Sequence, residues 1–510
     1  MLHNLKNNKR EILFAVLSGI LLILIFPGCN LSFISWVALV PLFLAIKDKT
    51  PAASFGAGFL AGFVSFTGIL YWVVPTIIAD GENAFFAVLM LAVFSSILAL
   101  FYGAFCAALA AAAGKSRSGT FSNIFTAAAL WVLMEWARGH VFTGFPWALL
   151  GYSQWKNVYA IQVCEYTSVY GVSFIIVAVN AVFAAMISEI PERKGRIYGH
   201  LIAVFLIVSA NSTFGIFKIL AEKNIKDENT VRFCVLQGNI SQYMKWDEAY
   251  RQLIMDNYSG LVEQAAEFKP QVMVWPETAL PGYLRYEKNI YLKIKELSEA
   301  SGAYHIIGSP ELESKKCYNS AFLVSPQGGI LSRYDKVHLV PIGEYLPGKK
   351  ILSRFFPVLS GLGDFTAGRD VSGLATPYGK MGVLICYEII FPELTRKMVN
   401  CGARYLVNIT NDAWYMETHA LQQHFSMAVF RAVENRISVV RAANTGISGF
   451  INKYGGVEGT TRISEKTFLI MTVKARSRDT FYTRHGDVFI LVVFLLAAAI
   501  IIKRGVPALS

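Results

Sequence analysis

Long apolar runs fill much of the first half of the chain, at residues 11–27, 31–46, 54–76, 84–113, 122–137, 159–189 and 198–219, with another at 487–502. About 20 apolar residues cross a bilayer as one helix, and several of these runs reach that length. The runs 11–27 and 31–46 are short and would need tilt or interfacial flanks. The pattern therefore predicts an α-helical membrane domain of about eight spans, seven of them in residues 1–221 and the eighth in 481–510.

Residues 222–480 follow a different period. Short Val- and Ile-rich runs alternate with helical ones: 231–237, a helix near 248–267, 272–275, a helix near 289–300, 304–308 and 321–325. The alternation resumes with 381–386, a helix from about 391, 405–410, a helix near 419–435 and 437–443. Interleaving of this kind predicts an α/β domain with a largely buried sheet.

Charge orients the spans. Lys6, Lys9 and Arg10 precede the first, Lys47 and Lys49 follow the second, and Lys115 and Arg117 follow the fourth. Arg193, Lys194 and Arg196 follow the sixth, and Lys503 and Arg504 follow the eighth. Basic loops stay in the cytoplasm, so both termini are expected there and 222–480 outside, away from ATP and other cytosolic cofactors. The net charge of +12 is thereby read as topology, and nucleic-acid binding is not expected.

Two N-terminal features take plain readings. The basic start, apolar run and Cys29 look like a lipoprotein signal, but Pro27 fits one poorly and further spans follow at once, so a retained helix is expected. Gly56, Gly58 and Gly62 lie in apolar surroundings with no strand before them. They suit close helix packing better than a dinucleotide loop.

Seven cysteines, none in a CxxC pair, do not make a disulfide framework. His419 and His424 are five apart and no HExxH occurs, so no metal is expected. Three stretches carry candidate chemistry. Glu277 follows the run VMVW, where desolvation would raise a carboxylate toward a useful base. Lys336 and Glu344 lie in YDKVHLVPIGEYLPG, and a lysine beside a reacting carbonyl stabilises developing negative charge. Cys386 ends the run MGVLIC and opens a turn into a helix, whose N-terminus would lower the thiol pKa and offer N–H groups to an oxyanion. Taken singly, each stretch also reads as structure: a turn, a solvated Lys–Asp pair, a core cysteine.

Together, in the order Glu277, Lys336, Cys386, they resemble the nitrilase superfamily over roughly residues 230–475. With the surrounding spans, the chain is similar to the membrane-embedded branch of that superfamily, the apolipoprotein N-acyltransferases. The stretches VLQGNISQYMKWD, WPETALPG, YNSAFLV, ICYEIIFPEL, NITNDAWY, RAANTGISG and EWARGHVFTGFPW carry the likeness.

The resemblance implies an αββα sandwich and cofactor-free acyl transfer. Cys386 would take an acyl chain from a phospholipid, with phosphatidylethanolamine the expected donor, and pass it to the amine of a diacylglyceryl-cysteine apolipoprotein. Glu277 would move the protons, and Lys336 would hold the oxyanion. Glu344, Tyr387 and Glu388 would support these three, while Trp246, Asn319 and Trp414 would shape the lipid entrance. A monomer in the bacterial inner membrane, its catalytic domain on the periplasmic side, would suffice. Glu135 and Arg138 are read as either a structural pair or a headgroup contact, and Gly361, Gly363 and Gly368 as a mobile loop. Two other readings stand beside this one: a membrane-tethered amidase acting on small C–N substrates, and a transporter or receptor for which Cys386 is dispensable.

Overall fold

The computed structural model describes residues 2–113, 120–189, 194–222, 229–245, 247–341, 343–345 and 365–505. Trp246, Gly361 and Gly363 lie outside them. The chain divides into two compact units, one of Met1–Asn224, Thr418–Ser426 and His485–Ser510, the other of Ile225–Glu417 and Met427–Arg484.

Among the described residues, four helices of the first unit are long and apolar enough to cross a membrane: Pro51–Ile69, Ala84–Ala112, Val169–Ser188 and Tyr198–Ala221. The other apolar runs are shorter, and two of the runs that carry these four helices are themselves interrupted. Residues 31–46 split into a 3₁₀ turn, Ser32–Trp36, and a seven-residue helix, Val40–Ile46. The run 54–76 breaks after Ile69, and a separate short helix covers Val73–Ala79. The run 159–189 breaks at Ser168, whose φ is +55°, so its helix begins only at Val169. Thr50 caps the helix Pro51–Ile69 by accepting from the Ala53 N–H at 3.3 Å, with Pro51 pre-set for the first turn.

Close packing explains two of the three small residues: a Cβ on Gly62 would lie 3.0 Å from both Ala99 Cα and Tyr102 Cβ. A Cβ on Gly58 would lie 2.5 Å from the Tyr102 carbonyl oxygen, so the helices Pro51–Ile69 and Ala84–Ala113 touch there backbone to backbone. Gly56, by contrast, faces open space.

Glu135 and Arg138 are both 3% exposed and bind the following segment. Glu135 Oε1 accepts from the Leu150 N–H at 2.6 Å, and Arg138 Nη1 donates to the Trp147 carbonyl at 2.7 Å. Arg138 also lies over the Phe66 ring, 5.0 Å from its centroid. Each separately ties residues 145–150 to the helix Thr120–His140.

Among the described residues, the second unit holds twelve strands in two six-stranded sheets. The first sheet contains β1 (Thr230–Gln237), β2 (Val272–Val274), β3 (Tyr304–Glu313), β4 (Lys316–Val324) and β5 (Ile330–Asp335). The second contains β6 (Leu374–Thr376), β7 (Gly379–Ile385), β8 (Ala403–Thr410), β9 (Val439–Ala443), β10 (Gly449–Ile451) and β11 (Val457–Thr460). Strand β12 (Thr467–Lys474) returns to the first sheet, whose order is β12-β1-β2-β3-β4-β5; the second runs β11-β10-β9-β8-β7-β6.

Each sheet has a parallel centre, β1-β2-β3 in one and β7-β8-β9 in the other, with antiparallel flanks. The sheets face one another, with Phe233 of β1 edge-on to Tyr405 of β8 at 5.3 Å between centroids. The outer face of the first sheet is covered by the helices Arg251–Ala266 and Lys288–Ser301. Their Ile254, Tyr258, Leu261, Ile290, Ile294 and Leu297 recur at three- to four-residue spacing in a core with Cys234, Met273 and Trp275. Pro392–Asn400 packs on β7 and β8 from the other side. The result is an αββα sandwich whose parallel strands β2 and β7 end close to the candidate residues.

Candidate active site

Glu277 lies three residues past β2, on a loop held close to β3. The Ala279 N–H donates to the Gly308 carbonyl at 2.8 Å. A Cβ on Gly308 would meet the Pro276 carbonyl oxygen at 2.2 Å, so only glycine leaves the loop room. Both carboxylate oxygens of Glu277 are engaged: Oε1 accepts from Asn319 Nδ2 at 2.7 Å, and Oε2 from the Asn411 N–H at 2.7 Å. Lys336 Nζ stands 3.5 Å from Oε1.

Lys336 directly follows β5 and is 1% exposed. Its N–H bonds the Asn319 carbonyl at 2.8 Å, and its ammonium lies 2.9 Å from Glu344 Oε1. Burial works against that ammonium, but Glu344, Glu277 and Cys386 outweigh it and hold it above the ordinary lysine range. Glu344 is the reciprocal case. Burial opposes its charge, yet Lys336, the Val340 N–H and Asn319 keep its carboxyl below the usual value. Lys336 is therefore a permanent cation at neutral pH.

Cys386 directly follows β7 with φ +51°, a left-handed backbone costly for a side chain with a Cβ and common where a nucleophile is held out from a sheet. The five-residue 3₁₀ turn Cys386–Ile390 follows. A lowered thiol pKa at a helix N-terminus is not what results. Burial pushes the thiol above its ordinary value, and Glu277 adds to that, against Lys336 and a hydrogen bond with Thr410. At rest Cys386 is thus a thiol, and its use as a nucleophile requires a base.

Glu388 is fully buried and joins the Lys336 loop to the Cys386 turn. It accepts from the N–H groups of Val337 at 2.7 Å, His338 at 3.1 Å and Ile385 at 2.7 Å, and from the Tyr334 hydroxyl at 3.0 Å. Tyr387 is buried with its ring edge-on to Phe391 at 5.1 Å.

The structure thus gathers Glu277, Lys336, Glu344 and Asn319 in one bonded network, coupled electrostatically to Cys386. Asn319, expected at a lipid entrance, is instead 3% exposed, and its amide nitrogen donates to both Glu277 and Glu344. Trp414 stands on the exposed side of the turn Asp412–Tyr415 after β8. Gly368 is packed against the Lys336 strand end, with its N–H on the Lys336 carbonyl at 2.8 Å. Among the described residues, no group of three or more His, Cys, Asp or Glu is placed to hold a metal.

Several participants escape a reading of the sequence alone. Lys245, 3% exposed, donates to the Glu277 carbonyl at 3.0 Å. Thr410 donates to Asp412 Oδ1 at 2.7 Å, and Asp412 Oδ2 takes a bond from Arg441 at 2.8 Å. All four lie in the quoted stretches VLQGNISQYMKWD, NITNDAWY and RAANTGISG, where unusual polar density was the available signal.

Two family models match the chain: an apolipoprotein N-acyltransferase N-terminal domain over residues 18–182, and a carbon-nitrogen hydrolase over residues 235–474. An apolipoprotein N-acyltransferase of Geobacter metallireducens is 39% identical, with 94% of this chain and 92% of the relative covered. The chain belongs to the apolipoprotein N-acyltransferase family. Another apolipoprotein N-acyltransferase, from Brucella suis, is 35% identical over 89% of this chain and 86% of its own length. A Saccharomyces cerevisiae nitrilase-superfamily structure aligns with 48% of the chain and 90% of its own, at 18% identity and a TM-score of 0.39.

Proposed function

We propose that this apolipoprotein N-acyltransferase family member moves an acyl chain from a membrane phospholipid to the N-terminal amine of a diacylglyceryl-cysteine lipoprotein, through a thioester on Cys386. What carries the proposal is the network in which Glu277, Lys336 and Glu344 meet at Asn319, coupled to a cysteine in strained backbone at the end of β7.

The first half-reaction runs as follows. Glu277 takes the Cys386 proton as the sulfur attacks the sn-1 ester carbonyl. Lys336 and the N–H that follows Cys386 hold the oxyanion. The ester C–O bond breaks, Glu277 returns the proton to the departing lysophospholipid hydroxyl, and the thioester remains. In the second half the lipoprotein amine attacks. Glu277 accepts its proton, the C–S bond breaks, and the proton goes back to sulfur. Glu277 serves both halves because both need one proton removed and one returned.

The finer assignments belong to the same proposal. Residues 1–221 and 481–510 form about eight spans, with both termini cytoplasmic, and 222–480 works on the periplasmic side of the inner membrane. Phosphatidylethanolamine is the donor and the protein acts as a monomer. Glu344, Tyr387 and Glu388 support the reacting groups, and Trp246 and Trp414 shape the lipid entrance. The alternation of basic loops and the four membrane-length helices support the topology.

The test is reconstitution with a defined phosphatidylethanolamine and a diacylglyceryl-cysteine peptide. The expected product is the N-acyl peptide with equimolar lysophospholipid, absent with Cys386→Ala. Release of free fatty acid without peptide acylation would instead describe a hydrolase.

A further inference from the structure

Lys245 ends the short helix Gln242–Lys245, buried, with its ammonium on the Glu277 carbonyl at 3.0 Å. An ammonium carries three donors, so this single bond leaves donors for other charge in the site. A tally of buried charge points the same way. Asp412 is matched by Arg441 at 2.8 Å. Glu388 is met by three N–H groups and a phenol. Glu277 and Glu344 share Lys336, which leaves one carboxylate without a matching cation unless Lys245 supplies it. Moving the Cys386 proton to Glu277 only relocates that charge, and a buried uncompensated charge is costly.

We propose that Lys245 is a second buried cation of the site, a positioning residue that fixes the Glu277 loop through its carbonyl and stabilises the Cys386 thiolate. The inference rests on Cys386 being the nucleophile. The charged groups facing Lys245 are Glu277 and Cys386, and around Cys386 stand Glu277, Lys336, Asp412 and Tyr415. Burial lowers the Lys245 ammonium to about 7, against the pull of Glu277 and Cys386. Its charge is therefore present in mildly acid solution and gone in alkali, which makes its contribution separable from a structural one.

The test is the rate of iodoacetamide alkylation at Cys386 in full-length protein, followed by mass spectrometry of the Cys386 peptide, for wild type, Lys245→Met and Lys245→Arg. At pH about 6.5 the Met variant is expected to react on the order of tenfold more slowly than wild type, the factor for one unit of thiol pKa, and the Arg variant within about twofold. At pH about 9, where wild-type Lys245 is neutral, wild type and Met variant should converge and the Arg variant should be faster than both. Burial raises the Glu388 carboxyl to about 7, but its titration is common to all three proteins and cancels in the ratios. Equal rates throughout, or the same slowing at both pH values, would overturn the proposal. Should the Met variant not fold, an Arg variant no faster than wild type in alkali overturns it equally. The thioester reading is judged separately, by acyl adduct formation on the wild type.

Discussion

Asn319 holds Glu277 by one hydrogen bond of 2.7 Å from its side-chain nitrogen, and the same nitrogen reaches Glu344 at 2.9 Å. One amide thus separates two carboxylates that share Lys336. Removing a donor from a buried acceptor costs about 1–3 kcal/mol. Asn319→Ala is therefore expected to lower the acyl-transfer rate by roughly 10- to 100-fold. Asn319→Asp should be worse, because a third carboxylate must then be neutralised by protonation. Initial rates on the diacylglyceryl peptide, with thermal unfolding as the control for folding, check both. Wild-type activity in Asn319→Asp would contradict this role.

Glu388 gives a second prediction. Its two oxygens accept from three backbone N–H groups and Tyr334. In Glu388→Gln, whichever way the amide points, its NH₂ confronts an N–H. The buried donors left unmatched should cost about 1–3 kcal/mol, read as a lower melting temperature. Activity should fall further than stability, since the same bonds set Lys336 against Cys386. A variant with unchanged melting and unchanged rate would remove Glu388 from this role.

Gly308 tests how closely the Glu277 loop is held. An added methyl would lie 2.2 Å from the Pro276 carbonyl and 2.7 Å from Glu277 Cα, so the loop must shift by a large fraction of an ångström. Displacements of about 1 Å at reacting groups cost on the order of 100-fold. Gly308→Ala is expected to reduce kcat by about that factor while the protein remains folded.

Stability against pH follows from His305. Trp275 Nε1 donates to its Nδ1 at 3.0 Å and Ser301 Oγ is 2.9 Å from Nε2, so the ring is neutral with its proton on Nε2. Burial lowers it from an ordinary 6.5 to about 3. Below pH 6.5 the unfolded chain binds a proton that the folded one refuses, so this residue makes stability fall as pH drops from 6.5 toward 3. His305→Phe should be less stable at neutral pH, from the lost bonds, yet lose less melting temperature on acidification to about pH 4.5. Parallel curves for the two proteins would refute the assignment.

Much of the α/β domain was legible because its central strands, such as 231–237 and 405–410, are buried on both faces and read as continuous apolar runs. Strands β5, β6, β10, β11 and β12 were not. β6 and β10 have three residues each, and β11 and β12 carry exposed polar positions at a sheet edge. In the membrane unit, hydropathy located apolar segments but not their breaks. The interruption at Ser168 depends on a left-handed residue that no apolar count registers. In the site, residue types at strand ends pointed to Glu277, Lys336 and Cys386. The burial of Asn319 and the reach of Lys245 to a backbone carbonyl are products of three-dimensional packing, which one-dimensional spacing does not encode.

Both half-reactions pass through the acyl-enzyme on Cys386. Intact mass spectrometry of purified wild type and Cys386→Ser, after incubation with one defined phosphatidylethanolamine and no acceptor, tests it most directly. The wild type alone should gain one acyl chain, discharged by a diacylglyceryl-cysteine peptide as N-acyl product. Folded wild-type protein that gains no mass across a range of phospholipids would contradict it.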